Sequence, residues 1–482
     1  MNALFRLRWL LAGLFWVSTL PAARASHILG GDITYAPVAA TTVGVPRYHV
    51  VVRLFRDVTG VDQPTVRLAC NRSDCNATAS NYFFVDNILR TMNARRTSLG
   101  CATASPFRVY DTYLYETDVD LPPGQWTLSA SLENRSGSIL NIPNSIARSF
   151  YISAFLDNQL APQNSSPQFL TTLLPYLCGS TTQRYSFSSF DSDGDSLAYS
   201  FILSQENLIP GGTKNLCGSP IAGSFSPHFQ INAATGELTA PAGPVQQGTY
   251  VMAARVNEYR RIGGTWQPIG YIIRDVSYLA YSGTNLPPGF TGLTLASGAT
   301  QPLDQLIAVR PGQTVSLLLT AADPDAGQTL RFSSEATNII PGLSLATVSG
   351  TQARLTWQVP ASLPPGRYRA TIAVQDDGCP LNASAEQTVS FVVSNLPLAT
   401  RATSDTEATA FPMPFREQVQ FRAGGSGQLV VIVDELGRTI AQLRAGADGR
   451  VLWQPAASLP AGLYLARGAD GRPLARLLHA AN

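Results

Sequence analysis

Length, composition and charge narrow the possible functions. The chain has 482 residues, enough for several domains, and its 34 basic and 32 acidic side chains give a formal charge of +2 at pH 7. That near balance argues against nucleic acid as a partner, because nucleic-acid binding needs a marked excess of basic residues. Frequent glycine (39) and proline (33), with no long stretch of apolar residues at helical spacing, predict an all-β fold with little helix.

The amino terminus has the composition of a secretory signal peptide. Arg6 and Arg8 precede the apolar run LLAGLFWVSTL, and an A-x-A cleavage pattern ends at Ala25. The run is too short to span a bilayer. We therefore predict that residues 1–25 form a signal peptide, that the chain is exported, and that the mature chain has no transmembrane segment.

The six cysteines allow disulfides in an exported chain but are too few to form its scaffold. No CxxC pair or neighbouring histidine gives them the spacing of a zinc site. We predict a disulfide between Cys178 and Cys217 and one bridge among Cys70, Cys75 and Cys101.

A weak repeat indicates how the chain divides. Four times a glycine turn leads into an aromatic residue and then into alternating apolar and polar side chains, as a half-buried strand requires. The aromatic residues are Trp126, Tyr250, Tyr368 and Tyr464. Copies roughly 100 residues apart match the size of immunoglobulin-like domains. We predict tandem Ig-like or cadherin-like β-sandwiches, divided as follows: 26–160, an N-terminal sandwich; 161–282, an Ig-like or cadherin-like sandwich; 283–395, an Ig-like sandwich; 396–410, a linker; and 411–482, a small sandwich.

Two aspartate-rich loops are candidate metal sites. The stretch FDSDGDSLAYSF carries Asp191, Asp193 and Asp195, and Asp323 and Asp325 repeat the D-x-D pattern before the predicted strand TLRFSS. Calcium binds six to eight oxygens, and alternating aspartates can supply several from one side of a turn. The spacing differs from that of an EF-hand, and a turn in which aspartates bond to their own backbone explains the same residues. A calcium site and a polar turn both stay open, and calcium is the one cofactor that the sequence suggests.

Catalysis finds little support in the sequence. Close aspartates can act as a carboxylate pair, but no sign of a cleft accompanies them. The chain has only four histidines and no GxSxG, HExxH or phosphate-binding loop. We predict that the protein is not an enzyme.

A second group of charges lies in the stretches NEYR and IGYIIRD, which contain Glu258, Arg260, Arg274 and Asp275. Charges that alternate on facing strands form cross-strand pairs that fix strand register, and we expect that role here. A polar patch that faces a ligand is the alternative.

The tail has the most specific pattern in the chain. An FPMPF opening, the turn DELGR, a tryptophan, the turn LPAGLY and a last strand, RPLARLLHAAN, predict a small antiparallel sandwich. The same pattern resembles the carboxy-terminal sorting domain of proteins secreted by the type IX system of Bacteroidetes. The residues that carry the resemblance are Pro412, Pro414, Phe415, Asp434, Gly437, Arg438, Gly462 and Tyr464.

This resemblance implies the type IX secretion machinery as a partner. It implies passage through the periplasm and across the outer membrane, removal of the tail, and release or attachment at the cell surface.

The aspartate loops also resemble those of cadherin-like repeats, in which calcium stiffens the junction between domains.

The first two predicted domains resemble a second group. SHILGGDITY, LFRD, NIPNS, NSSP and SDGDSLAYSF are similar to the amino-terminal region of large Bacteroidetes surface proteins labelled gliding-motility associated. Val58 and Tyr281 stand where that group commonly has cysteines, so no disulfide pairing is carried over from it.

Together these features predict a secreted or cell-surface protein that acts as an adhesin-like binding protein or scaffold. Its stacked sandwiches would hold out loops that contact a glycan, a matrix or a surface protein. A structural component of the envelope or gliding machinery is the alternative, with a fixed cell component as its partner. A secreted hydrolase with accessory β domains is a third, weakened because no segment is large enough for a catalytic domain.

Overall fold

The computed structural model describes residues 28–72, 82–91, 95–100, 109–208, 214–394, 410–434, 437–456, 459–460, 462–469 and 471–480. Regular structure in these ranges is almost all strand, apart from single helical turns at Ser145–Ala147 and Ala336–Ile339. The all-β prediction is confirmed. The predicted signal peptide, the predicted linker apart from Ala410, and Cys75 and Cys101 lie outside the described residues. No helix in the described ranges is long and apolar enough to cross a bilayer.

The chain forms two compact units, Met1–Leu398 and Ala399–Asn482. The division falls within the predicted linker at residues 396–410. The first unit contains the three predicted sandwich segments, and the second contains the predicted tail domain.

The first segment contributes eight strands to one large sheet. They are β1 (Ile28–Val38), β2 (Arg47–Asp57), β3 (Thr65–Arg72), β4 (Tyr82–Leu89), β5 (Arg95–Ser98), β6 (Val109–Asp120), β7 (Gln125–Leu132) and β8 (Phe150–Asp157). With β19 (Thr265–Ala280) they follow the order β4-β3-β7-β8-β19-β1-β2-β6-β5. The two ends of this strand order come together, as a bridge between Arg90, just after β4, and Tyr115 of β6 shows. The sheet is therefore strongly curled.

Alternating side chains give this sheet its inner face. In β2, every second residue is fully buried in the core, namely Tyr48, Val50, Val52 and Leu54. The residues between them, such as Arg47 and His49, remain partly exposed. The curled sheet therefore encloses a continuous apolar core.

The second segment contributes eleven strands. They are β9 (Gln168–Phe169), β10 (Tyr176–Leu177), β11 (Gln183–Ser186), β12 (Ser189–Phe190), β13 (Ser196–Ile202), β14 (Gln205–Leu208), β15 (Lys214–Pro220), β16 (Gln230–Ile231), β17 (Glu237–Ala240), β18 (Gly248–Ile262) and β19. The two longest, β18 and β19, form a hairpin whose turn is Gly263-Gly264, with φ of +59° and +86°. Two consecutive residues with positive φ are what a two-residue type I′ turn requires, and glycine adopts them without strain.

Strand β19 joins the first two segments. One of its edges pairs with β18, while on the other edge Gly270–Ile272 pairs with β8 and Arg274–Val276 pairs with β1. The fourteen-stranded sheet therefore continues across the predicted boundary at residues 160 and 161. Side chains from both segments also line the same core. The two segments share a sheet and a core instead of forming two separate sandwiches.

The third segment is a sandwich. Its strands are β20 (Gly289–Leu295), β21 (Thr300–Gln301), β22 (Leu306–Val309), β23 (Thr314–Ala322), β24 (Arg331–Ser333), β25 (Leu343–Ser349), β26 (Gln352–Gln358), β27 (Gly366–Gln375) and β28 (Ser384–Val393). They form a five-stranded sheet, β21-β20-β23-β26-β25, and a four-stranded sheet, β22-β28-β27-β24. Trp357 packs against Tyr368 and Phe391 in the core.

The second unit has its own core. Its strands are β29 (Val419–Arg422), β30 (Leu429–Asp434), β31 (Thr439–Arg444), β32 (Arg450–Trp453), β33 (Gly462–Gly468) and β34 (Pro473–His479). β29 pairs with β32, and the other four strands follow the order β31-β30-β33-β34. Phe415 and Tyr464 both pack on Trp453, with ring centroids 5.5 and 5.6 Å away.

The motif residues of the tail have structural roles in this unit. Asp434 accepts two hydrogen bonds from Arg438, one from the backbone N–H (2.9 Å) and one from Nε (2.6 Å). Gly437 takes a positive φ of +79° in the same turn. Pro412 and Pro414 are exposed and lead into the buried Phe415.

The predicted Cys178–Cys217 disulfide is wrong. Cys178 carries a free, buried thiol, whereas Cys217 is disulfide-bonded. Strand β10 places Cys178 at the far end of β19, where Leu177 pairs with Ala280. Cys217 lies in β15, and its sulfur is 3.9 Å from Asn71 Nδ2 of β3. The two cysteines are therefore held by different strands in different surroundings.

Two other cysteines are described. Cys70 is free and buried, and Cys379 is disulfide-bonded. Cys70 therefore takes no part in the bridge predicted among Cys70, Cys75 and Cys101. The other two cysteines lie outside the described residues.

Candidate functional site

The first aspartate-rich loop joins β12 to β13 and folds as a tight polar turn. The Asp191 Oδ1 atom accepts hydrogen bonds from the backbone N–H groups of Asp193 (3.1 Å) and Asp195 (2.8 Å). Gly194 has φ of +81°, a left-handed conformation that glycine adopts without strain. The turn that the sequence allowed is therefore present.

A cluster of three buried carboxylates forms beside this turn. Asp191, Asp195 and Glu258 each bring one oxygen within 4.8 Å of the others. Glu258 comes from β18, where it lies opposite Leu197 of β13. In the part of the chain that the structure describes, this is the one group of three or more such side chains close enough to hold a metal ion.

Hydrogen bonds satisfy only part of this cluster. Arg260 donates from Nε to Asp195 Oδ1 (2.8 Å) and from Nη2 to Asp195 Oδ2, so each oxygen of that carboxylate accepts one hydrogen bond and keeps a second lone pair. Asn164 donates from Nδ2 to Glu258 Oε1 (2.8 Å). The other two oxygens, Asp191 Oδ2 and Glu258 Oε2, are buried and have no donor among the described residues unless one of these two carboxyls is protonated and donates to the other.

Burial makes the charged forms of these carboxyls costly. Loss of solvation, together with the charges of Asp195 and Asp193, raises the pKa of Asp191 to about 7. Burial and then the charge of Asp191 raise the pKa of Glu258 well above its usual range. Carboxylates this close cannot all be ionised unless a positive charge compensates them. Without such a charge, burial favours the protonated form of Asp191 and Glu258.

Asp193 differs from the other two aspartates of the loop. It is partly exposed, and its Oδ2 atom accepts a hydrogen bond from the Ser165 N–H (2.7 Å) and lies 3.4 Å from Arg260 Nη2. The structure therefore brings two of the three predicted loop ligands into the cluster and adds Glu258. The motifs NEYR and NSSP contain Glu258 and Asn164, but nothing in their sequence linked them to this loop.

The second aspartate-rich loop, between β23 and β24, mainly fixes the backbone. Asp323 Oδ1 accepts from the Asp325 N–H (2.8 Å), and Asp325 Oδ2 accepts from the Leu286 N–H (2.7 Å). Nearby, Asn285 donates from Nδ2 to both oxygens of Asp376, whose pKa burial raises to about 6. Asp323 Oδ2 is buried without a hydrogen-bond partner among the described residues. Neither Asp323 nor Asp325 belongs to the three-carboxylate cluster.

The charged residues of β18 and β19 do not pair with each other across the hairpin. Glu258 lies opposite Gly270, and Arg274 lies opposite Ala254. On its other edge, Arg274 lies opposite Asp32 of β1 and forms a buried ion pair with it (Nη2 to Oδ2, 2.6 Å).

Asp275 forms a second buried pair. Arg135, between β7 and β8, donates from Nη1 (3.1 Å) and Nη2 (2.7 Å) to its two carboxylate oxygens. The expected ion pairs therefore exist for Arg274 and Asp275, but with partners from the first segment. Strand β19 pairs with β18 along one edge and with β8 and β1 along the other, so it lies against the first segment, which supplies these partners.

Comparisons with known proteins identify no family. No family profile matches the sequence, and no curated protein matches it. Among solved structures, a titin fragment is similar at 12% identity, covering 65% of this chain and 97% of that one, with a TM-score of 0.14. The IG1 and IG2 domains of DIP-gamma give 12% identity, coverage of 40% and 97%, and a TM-score of 0.15. The SGBP-B protein of a Bacteroides ovatus mixed-linkage glucan utilization locus gives 12% identity, coverage of 66% and 71%, and a TM-score of 0.14.

The tip of the β18–β19 hairpin is a second candidate site. Strand β13 pairs with β18 only as far as Ser196 and Tyr259, so residues 260–267 project as a two-stranded ribbon. Trp266 is 54% exposed on this ribbon and lies opposite Arg261. No sequence motif singled out this tryptophan, because its exposure depends on where the neighbouring strand ends.

A buried glutamate lies where the second and third segments meet. Glu386 of β28 accepts hydrogen bonds from Thr171 Oγ1 and from the Ser186 N–H (2.7 Å). It lines a small pocket together with Arg95 and Glu335. Burial raises the pKa of Glu386 to about 7. This carboxyl therefore links residues of both segments through its hydrogen bonds.

Proposed function

We propose that this protein is exported and displayed outside the cell, where it binds a ligand and catalyses no reaction. The observation that carries the proposal is the projecting β18–β19 ribbon with its exposed Trp266. The ribbon extends from β19, which pairs with β18, β8 and β1. A contact residue is thereby held on a rigid element, as a specific binding surface requires.

Two buried ion pairs stiffen this support. Arg274 binds Asp32 of β1, and Asp275 binds Arg135 of the segment before β8. A buried charge without its partner is strongly unfavourable, so each pair favours a single arrangement of β19 against the first segment. The middle of β19, from which the ribbon extends, is therefore fixed against the first segment.

The chemistry of the tip suits a binding surface. Tryptophan and arginine carry much of the binding energy at protein interfaces, because the ring buries a large apolar area and the guanidinium donates several hydrogen bonds. Trp266 and Arg261 lie opposite each other on the ribbon. We propose that they contact a glycan, a matrix polymer or a surface protein.

We further propose that the tail directs export through the type IX secretion system. Two features support this: the tail is a compact unit of its own, and it carries the motif that resembles a sorting domain. Phe415, Asp434 and Arg438 of that motif are core and turn residues. The motif therefore maintains the fold that a sorting machinery would recognise.

Deleting residues 411–482 tests this route. The truncated protein should accumulate in the periplasm, whereas the full chain should be cleaved by protease added to intact cells. Cell fractionation and surface proteolysis measure both outcomes, with a periplasmic marker as the control for intact envelopes. Surface display of the truncated protein at the level of the full chain would refute the sorting role.

A further inference from the structure

The buried cluster of Asp191, Asp195 and Glu258 has more negative charge than its partners neutralise. The three carboxylates face one guanidinium, that of Arg260, so two negative charges are left when all three are ionised. Asn164, the other hydrogen-bond partner, is neutral. One divalent cation would balance the group.

Two oxygens in the cluster are available to such a cation. Asp191 and Glu258 are 4% and 0% exposed, and when both are ionised no described residue donates a hydrogen bond to Asp191 Oδ2 or Glu258 Oε2. A buried polar atom without a partner destabilises the folded state. A ligand that binds both oxygens removes that cost, and the two side chains converge on the same place.

We propose that Asp191, Asp195 and Glu258 bind a divalent cation, and that this cation is calcium. Each of the three side chains offers only oxygen atoms, the ligand type that calcium prefers. Oxygens as far as 4.8 Å apart can both bind one calcium ion at roughly 2.4 Å. Magnesium usually keeps several of its waters and binds through one or two carboxylates, so a buried group of three carboxylates favours calcium.

The cation would fix the loop that contacts the third segment. A side chain at Gly194 would come within 3.0 Å of Pro364 and Tyr368, so the loop lies directly against that sandwich. Phe190, at the start of the loop, packs on Tyr368 with ring centroids 5.7 Å apart. Calcium binding therefore stiffens the junction between the second and third segments.

Asp193 is a matched control within the same loop. It carries the same charge as its neighbours, but it is partly exposed and binds the Ser165 N–H and Arg260. The alternating D-x-D-G-D pattern alone makes Asp193 a ligand and leaves Glu258 out. The cluster in the structure makes Glu258 a ligand and leaves Asp193 out. Single substitutions of Asp193 and Glu258 therefore distinguish the two ligand sets.

The test is isothermal titration of the full chain with calcium after treatment with a chelator. Wild type and Asp193→Asn should bind calcium at this site, whereas Glu258→Gln and Asp191→Asn should lose one equivalent or bind it about tenfold more weakly or worse. The calcium-dependent rise in melting temperature should shrink in the same two variants, because only the folded state binds the ion. Asp323→Asn, in the second aspartate-rich loop, should bind this calcium ion as the wild type does.

Folding of the variants is checked in chelator. Glu258→Gln should melt there at or above the wild-type temperature, because the amide removes a buried charge. Equal calcium binding by wild type and Glu258→Gln would overturn the proposal. Loss of binding in Asp193→Asn alone would overturn it as well, and so would a wild-type chain that binds no calcium.

Discussion

The guanidinium of Arg274 and the carboxylate of Asp32 form a buried ion pair, although 242 residues separate them along the chain. The two residues lie directly opposite each other on β19 and β1. The ring of Phe169 covers the guanidinium, with its centroid 3.9 Å away. This pair can form only when the sheet that joins the first two segments is complete.

Replacing Asp32 with alanine should therefore destabilise the first unit strongly. The substitution leaves Arg274 buried without its carboxylate, which costs about 3 to 5 kcal/mol of unfolding free energy. Urea unfolding measures the loss. Asp86→Ala is the control, because its pair with Arg67 is about half exposed and should contribute about 1 kcal/mol or less. Equal losses in the two variants would contradict the role given to the buried pair.

Glu386 should make the first unit less stable as the pH rises. Burial raises its pKa from the usual 4.5 to about 7, so the folded state favours the protonated carboxyl. The stability that it contributes is complete below pH 4.5 and is lost as the pH rises through 7. The loss attributable to this group is at most about 3 kcal/mol.

The variant Glu386→Gln isolates that effect. The amide does not titrate, and its oxygen and nitrogen can still bind the Ser186 N–H and the Thr171 hydroxyl. Unfolding free energies at pH 4.5, 6 and 7.5 should fall less steeply for the variant than for wild type. Other buried carboxyls titrate in both proteins, so the difference between the two curves reports Glu386. Parallel curves would show that its pKa is not raised.

Replacing Trp266 with alanine should weaken binding without affecting the fold. The ring is 54% exposed, so the free energy of unfolding should change by about 0.5 kcal/mol or less. If Trp266 is the main contact, affinity should fall roughly tenfold or more. Phe225→Ala is the matched control, because that ring is 56% exposed and lies outside the ribbon.

Two probes distinguish the classes of partner for this surface. The labelled full chain is applied to a glycan array and to immobilised outer-membrane fractions of the producing cells. Binding to the array that Trp266→Ala loses supports display to an external glycan. Binding only to the membrane fractions favours a fixed component of the envelope. Equal effects of the Trp266 and Phe225 substitutions on both probes would contradict a contact role for the ribbon.

The strands and turns were predictable because their signals are local. Alternation along β2 reveals which side chains face the core, and the DELGR stretch contains the residues that close the tail turn. Such patterns depend on residues only a few positions apart. The all-β fold and the third sandwich could therefore be predicted from the sequence.

Long-range partners could not be predicted in this way. Glu258 joins Asp191 because β18 pairs with β13 in one particular register, which no short motif encodes. Spacing along the chain made Cys178 a plausible partner of Cys217, but β10 carries it to the far end of β19. The sequence therefore predicted two members of the carboxylate cluster, Asp191 and Asp195, but not the third, Glu258.

Two phenylalanines of the FPMPF motif should differ sharply in their effect on the tail. Phe415 is 0% exposed and packs on Trp453, whereas Phe411 is 77% exposed. Phe415→Ala should destabilise the second unit by about 3 to 5 kcal/mol, because it leaves a cavity in a small core. Phe411→Ala should change its stability little. Thermal unfolding of the second unit by itself, followed by tryptophan fluorescence, measures both, since Trp453 is the one tryptophan in residues 399–482.

The same two variants test whether export depends on a folded tail. If the secretion machinery recognises the folded unit, Phe415→Ala should remain in the periplasm while Phe411→Ala reaches the surface. If it recognises the exposed opening of the motif, Phe411→Ala should be retained although its tail is stable. A Phe415→Ala tail that unfolds at the wild-type temperature would contradict the core position of Phe415, and normal export of both variants would show that neither ring is needed for sorting.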